Sequence, residues 1–152
     1  MKGPLFFAKI LLFGEYGIIK DSKGLSIPYN FYRGALKIPN EGVDFDQESN
    51  QKLKDFAVYL KTLDSKVIDF DWVKLESDLA KNMYFDSSIP QGYGVGSSGA
   101  LVAAIYDQYA SCKITVLENL TKEKLGYLKK VFSLMESFFH GKSSGLDPLN
   151  SY

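Results

Sequence analysis

Apolar, β-compatible side chains fill almost every position from Leu5 to Phe13, with Lys9 the one charge among them, and the run stops at Gly14. Its length and lack of helical spacing predict a buried strand. Tyr16 to Ile19 reads as continued extended chain, and Asp21-Ser-Lys-Gly24 as a turn. Leu25 to Tyr29 and Phe31 to Ile38 read as two further strands, closed off by Pro39-Asn-Glu-Gly42. The period then changes. Leu53, Phe56, Ala57, Leu60 and Leu63 recur at helical spacing between Glu48 and Leu63. A second amphipathic helix is expected over Asp71 to Asn82, burying Trp72, Leu75 and Leu79, and a short strand over Met83 to Phe85. A third helix is expected from Ser98 to Tyr109. The last begins near Thr121, carries Leu125, Leu128, Phe132, Met135 and Phe139 on one face, and stops at His140-Gly141. Strands come first and helices later, which predicts an α+β fold rather than a doubly wound sheet.

With 152 residues the chain suffices for one well-packed domain. Its 45% hydrophobic and 14% aromatic content marks a globular core rather than disorder. Eighteen basic and eighteen acidic residues balance without a basic cluster, so no electrostatic footprint for nucleic acid is present. The single cysteine, Cys112, excludes an internal disulfide and fits a reducing cytoplasm. No stretch reaches the roughly 18 apolar residues of a membrane span. Lys9 interrupts the N-terminal apolar run, and Gly14-Glu15 stands where a signal-peptide cleavage site would want small residues.

The densest chemical signal lies in Pro90-Gln-Gly-Tyr-Gly-Val-Gly-Ser-Ser-Gly-Ala100, directly before the apolar helix-former run Ala100 to Ile105. Glycines let a backbone curl so that several N–H groups point into one concavity, and a helix starting near Ser98 adds unpaired donors and a positive dipole end. Such a place holds phosphate. No Lys follows the last glycine, so this is not a P-loop. Gly94-x-Gly96-x-x-Gly99 does match a dinucleotide-binding fingerprint, with Lys113 to Leu117 a candidate strand and Glu118 a candidate ribose-binding acid. The order of elements argues against that reading, since its glycine loop belongs after the first strand of an alternating βαβ unit.

Phosphoryl transfer needs a phosphate cradle, Mg²⁺ ligands, a group orienting the attacking hydroxyl and cationic charge nearby. Candidates exist elsewhere in the chain. Lys9 lies mid-strand, where an ammonium is costly unless paired. Glu136 stands at the edge of an apolar helix face, and Asp147 follows a Ser-Ser-Gly turn. Each also has a purely structural explanation: snorkelling from an edge strand, a solvated helix position, a turn cap.

Ala8-Lys-Ile-Leu-Leu-Phe-Gly-Glu-Tyr-Gly-Ile-Ile19, Pro90 to Ala100, and Phe139-His-Gly-Lys-Ser-Ser-Gly-Leu-Asp147 together resemble the small-molecule kinase superfamily of galactokinase, homoserine kinase, mevalonate kinase and phosphomevalonate kinase. The second segment resembles its Pro-x-x-x-Gly-Leu-Gly-Ser-Ser-Ala loop. The third is similar to mevalonate kinases, where a Glu precedes the Asp by eleven positions, as Glu136 precedes Asp147 here. Val95 stands in place of the usual Leu. Gly99 replaces a common Ala, which is expected to loosen the helix start, and Lys142 replaces a small polar residue.

The resemblance implies an N-terminal nucleotide-binding domain of ribosomal protein S5 domain 2-like type, with a mixed sheet and helices packed on one side. It implies that Gly92, Gly94, Gly96, Ser97, Ser98 and Gly99 wrap the phosphates of ATP, and that Ser98 and Glu136 hold Mg²⁺. Asp147 would orient the attacking hydroxyl, with Lys9 beside it. Opposite charges about 4 Å apart attract by roughly 4 kcal/mol at an effective dielectric near 20, enough to keep Asp147 ionised. Glu15, Tyr16, His140 and Ser144 would shape the acceptor pocket. Mevalonate is the favoured acceptor, with phosphomevalonate or a sugar as alternatives.

Members of the resembled superfamily are roughly twice this length, with a second domain that closes over the substrates. Residues 1–152 are therefore expected to be one N-terminal kinase domain of a longer protein, ending in a loose tail around Asp147. The alternatives are a chain completed by a partner subunit or a homodimer, and a nucleotide-binding or assembly module with no turnover of its own.

Overall fold

The computed structural model describes residues 4–13, 24–115 and 119–152. Its elements run β1 (Phe6–Phe13), β2 (Leu25–Lys37), α1 (Gln47–Leu60), α2 (Trp72–Ala80), β3 (Tyr84–Ser87), α3 (Ser97–Tyr109), α4 (Lys122–His140) and α5 (Leu146–Ser151). The α+β order expected from the sequence is present. Helix starts follow local chemistry: the side chains of Asp46, Asp71 and Thr121 accept from the backbone N–H three residues on, capping α1, α2 and α4.

The expected mixed sheet is corrected. Among the described residues the sheet has three strands in the order β1-β2-β3, and both pairings are antiparallel. A parallel neighbour needs a crossover of a dozen or more residues, and the short connection from Phe13 to Leu25 favours a return strand instead. The two strands expected on either side of Asn30 are one. Phe7 pairs with Arg33 and Ala8 with Tyr29, so residues 30–32 bulge out of β2 where the sequence suggested a break. No parallel βαβ unit occurs among the described residues. Lys113–Thr115 form no strand. The rest of the candidate Lys113–Leu117 strand, Glu118, and the expected Tyr16–Ile19 extension and Asp21–Lys23 lie outside the described residues.

Helix α3 is the centre of the molecule. Every residue from Gly99 to Tyr106 is buried, the pattern of a helix enclosed on all sides. It contacts β1, β2, α2, α4 and α5. Leu128, Val131, Phe132 and Met135 of α4 complete the core, while Leu125, expected on that face, is 37% exposed. Trp72 is half-buried, packed on the core rather than within it. No helix among the described residues is long and apolar enough to cross a membrane.

The expected loose tail is also corrected. Residues from Leu146 to Ser151 form α5, packed on α3, α4 and β1. Ser151 Oγ donates to the carbonyl of Phe7 at 2.9 Å, and Tyr152 Oη to that of Ile114 at 2.8 Å. The Tyr152 ring stands edge-on to Tyr106 and Phe132, with centroids 5.3 and 5.6 Å away. Short range alone does not reveal this helix; its anchors are separated from it by up to 144 positions.

Two glycines test these contacts. At Gly145, with φ +72°, an added Cβ would lie 2.2 Å from the carbonyl oxygen of Lys129 in α4. Gly145→Ala is expected to cost about 2–5 kcal/mol, from left-handed backbone strain and overpacking together. Gly126 in α4 faces open space, so Gly126→Ala is expected to stabilise by roughly 0.5–1 kcal/mol through helix propensity. Urea unfolding of the two variants checks both signs.

Candidate active site

The glycine loop leaves β3, crosses residues 88–96 and opens α3. Gly92, Gly94 and Gly96 take φ of +81°, +67° and +85°, which residues with a Cβ resist. Gly96 is the N-cap of α3, and no side chain caps that end. The first-turn N–H groups therefore face outward with the positive end of a 13-residue dipole behind them, the arrangement that attracts phosphate. A cavity of about 210 Å³ adjoins it, bounded by Ser49 and Lys52 of α1, Tyr84 and Asp86 of β3, and Ser97 and Ser98.

β1 meets the loop directly. The backbone N–H of Lys9 donates to the carbonyl of Val95 at 2.9 Å, outside the sheet ladder. The Lys9 side chain is buried, and its Nζ lies 3.0 Å from Asp147 Oδ1, whose side chain is 36% exposed. The costly mid-strand cation expected from the sequence is thus paired, and the snorkelling alternative for Lys9 does not hold.

On the other side of Ser98 stands Glu136, 3% exposed rather than at a solvated edge. Ser98 Oγ donates to Glu136 Oε1 at 3.2 Å and lies 3.0 Å from His140 Nε2. With its one proton given to the carboxylate, Ser98 accepts from the imidazole. Ser143 Oγ donates to the second carboxylate oxygen, Oε2, and is itself held by the backbone N–H of Gly145 at 3.0 Å. Burial holds the Glu136 carboxyl above its ordinary range, the charge of Asp147 adds to this, and the Ser143 and Ser98 hydrogen bonds and His140 oppose it.

The pieces named from the sequence therefore gather at one end of α3, on four elements. Ser98 sits between Glu136 and His140, and Lys9 pairs with Asp147. Ser144 instead accepts from the N–H of Leu146 at 3.3 Å, closing the turn into α5. Glu15 and Tyr16 lie outside the described residues. Ser143 was not singled out by the sequence; in the Ser143-Ser144 pair nothing local tells which hydroxyl turns toward Glu136. The structure gives Gly99 a role beyond the helix propensity it forgoes. An added Cβ there would lie 2.7 Å from the Asp147 carbonyl carbon, so this glycine admits α5 against α3.

Oxygen donors on Ser98 and Glu136 suit Mg²⁺, a hard cation that keeps several waters and shares phosphate oxygens. The buried Glu136 carboxylate, held by the hydroxyls of Ser98 and Ser143, suits the same ion. Among the described residues no group of three or more His, Cys, Asp or Glu side chains is placed to form a metal cage.

The sequence matches the family model described as GHMP kinases N terminal domain over residues 60–150, more than half of the chain. The chain belongs to the GHMP kinases. A mevalonate kinase from Thermococcus gammatolerans is 30% identical over 162 aligned positions, covering 93% of this chain and 46% of the relative. A mevalonate kinase from Thermococcus onnurineus is 28% identical over 160 positions, with the same coverage. The chain thus spans about half the length of the curated relatives it matches. No solved structure matches.

The raised Glu136 value sets a sign for stability. A carboxyl whose folded-state pKa lies above the unfolded one makes the folded chain bind more protons between the two values. Stability therefore falls as pH rises from about 4.5, the ordinary value, through the raised one, and the penalty is fully present above it. In Mg²⁺-free buffer at pH 7, Glu136→Gln is expected to raise the melting temperature, because it removes the buried charge. The gain should vanish as pH falls to the ordinary range of the carboxyl. Thermal unfolding followed by circular dichroism across that window checks both statements.

Proposed function

We propose that this chain carries the catalytic centre of a cytoplasmic kinase that transfers the γ-phosphate of ATP to the hydroxyl of mevalonate. The observation that carries this reading is the Lys9–Asp147 pair at 3.0 Å, placed at the glycine-loop end of α3 beside the Ser98–Glu136 contact. The names of the two relatives favour mevalonate as acceptor.

In this reading the backbone N–H groups of residues 92–99 bind the phosphates, and the adjoining cavity takes the nucleoside. Ser98 and Glu136 hold Mg²⁺, which when bound neutralises charge on the β- and γ-phosphates. Asp147 accepts a hydrogen bond from the acceptor hydroxyl and aims its oxygen at the γ-phosphorus. Lys9, 3.0 Å from Asp147, holds the carboxylate in place and balances charge on the transferring group. Orientation of the acceptor hydroxyl is the larger share of its work. His140, against Ser98, forms the wall between the metal ligands and the acceptor.

A second reading has its own observation. Leu12, Phe13, Leu25, Ile27 and Phe31 are 41–77% exposed on the β1–β2 hairpin, and apolar patches of this kind mark interaction surfaces. In that reading the chain binds nucleotide and turns over only when another polypeptide, a further domain or a partner subunit, covers the hairpin.

Mg²⁺-dependent release of ADP in the presence of mevalonate tests the kinase reading. Asp147→Asn is expected to lower turnover at least ~100-fold, the scale of lost acid–base participation, with ATP affinity within about twofold of wild type. Equal turnover in the variant would remove Asp147 from the mechanism. If the wild-type chain binds MgATP yet releases no ADP, the second reading holds for the isolated chain.

A further inference from the structure

Gly99 occupies a position where its backbone does not call for glycine. It lies in the first turn of α3, outside the left-handed region, and alanine there would favour the helix by about 1 kcal/mol. What excludes a side chain is α5. An added Cβ would lie 2.7 Å from the Asp147 carbonyl carbon, and 2.9 Å from both Asp147 Cβ and Pro148 N. Two of these are backbone atoms, and the third is fixed by them, so no change of rotamer relieves the overlap. Retreat is also hindered on the far side, where Ser151 bonds the carbonyl of Phe7 and Tyr152 is wedged against Tyr106 and Phe132.

Gly96, three positions earlier, has the matching contact with the other half of the ion pair. An added Cβ there would lie 2.9 Å from Lys9 Cγ. The two glycines thus seat Lys9 and Asp147 against one turn of the same helix, the turn whose N–H groups face the phosphate site.

We propose that Gly99 is a positioning residue that, by admitting the backbone of α5 against the first turn of α3, sets the distance of the Asp147 carboxylate from Lys9 and from the phosphate site. The catalytic part of this inference rests on the kinase reading above; the geometric part does not. To restore an ordinary 3.4 Å contact, a Cβ at position 99 must push the Asp147 backbone outward from its 2.7 Å approach. A displacement approaching 1 Å at a reacting group costs on the order of 100-fold in rate.

The test compares wild type, Gly99→Ala and Gly99→Ala/Asp147→Glu, the last adding one methylene of reach. Acylation of Lys9 in nucleotide-free protein, measured by peptide mass spectrometry, reads the ion pair without any turnover; Asp147→Asn serves as the reference for a broken pair. Gly99→Ala is expected to label at Lys9 several-fold faster than wild type, and the Glu variant to return toward the wild-type rate. Where the protein turns over, Gly99→Ala should lower kcat by ~10–100-fold, and the Glu variant should recover part of kcat. Wild-type labelling in Gly99→Ala overturns the inference, whatever happens to kcat. Faster labelling with unchanged kcat overturns the positioning role and leaves only a packing contact. A wild-type protein that shows no ADP release defeats the kinase reading for the isolated chain, while the labelling still decides the geometry. If Gly99→Ala does not fold, Pro148→Gly, which frees the α5 backbone seated on Gly99, must give the same rise in labelling; a wild-type rate there overturns the inference.

Discussion

Helix α3 is buried on every side from Gly99 to Tyr106, and the rest of the molecule is organised by that burial. An enclosed helix can leave only its ends accessible, and here the N-terminal end faces the glycine loop. Burial also requires small residues where neighbours come close, which explains Ala100, Ala103 and Ala104. The sheet, α4 and α5 each reach α3 from a different direction, so side chains on their nearest ends converge on its first turn. Lys9 comes from β1, Glu136 and His140 from α4, and Asp147 from α5. A site built from three elements around one rigid helix holds its geometry better than one built on a loop.

That convergence explains why the residues of the candidate site stand out in the sequence more readily than the pairing of the sheet. The motifs around Lys9, Gly92 to Ala100, and Glu136 to Asp147 are local in sequence, and each carries unusual residues: a charge within a strand, glycines in alternation, an acid on an apolar helix face. Helices α1 to α4 were legible for a similar reason, since apolar spacing and helix-former runs are short-range signals. The pairing of the sheet is not. Whether β1 meets β2 in parallel or antiparallel fashion depends on where the chain returns, and the bulge at residues 30–32 reads in sequence as a break. Helix α5 was missed because six residues carry too little period to announce a helix. Its order comes from Phe7, Ile114 and Tyr106, which are far away in the chain.

Gly99 shows the same limit at one position. In sequence a glycine at a helix start reads as lost propensity, and the inference of a loosened helix follows. In three dimensions it is a contact surface, and the residue that needs it is Asp147, 48 positions later. Ser143 is a similar case: of two adjacent serines, one turns to Glu136 and the other closes a turn, and only the path of the backbone into α5 distinguishes them.

The two carboxylates of the centre illustrate how environment divides labour between like groups. Asp147 is partly exposed and has its own cation, Lys9, so its charge is balanced before any ligand arrives. Glu136 is buried, receives among the described residues hydroxyl hydrogen bonds from Ser98 and Ser143, and has its pKa raised chiefly by lost hydration. Its charge is thus the unbalanced one, and the stabilisation it lacks is what a divalent cation provides. Ser98 links the two halves, donating to Glu136 while standing one residue before the glycine that seats Asp147. A cation drawn to Glu136 is thereby drawn to the outward N–H groups that favour phosphate, where a bare cation would be repelled by the helix dipole. Cation and phosphate are therefore each better accommodated with the other present. In the proposed kinase reading, the electrostatics of this centre favour a metal–phosphate complex over either component alone.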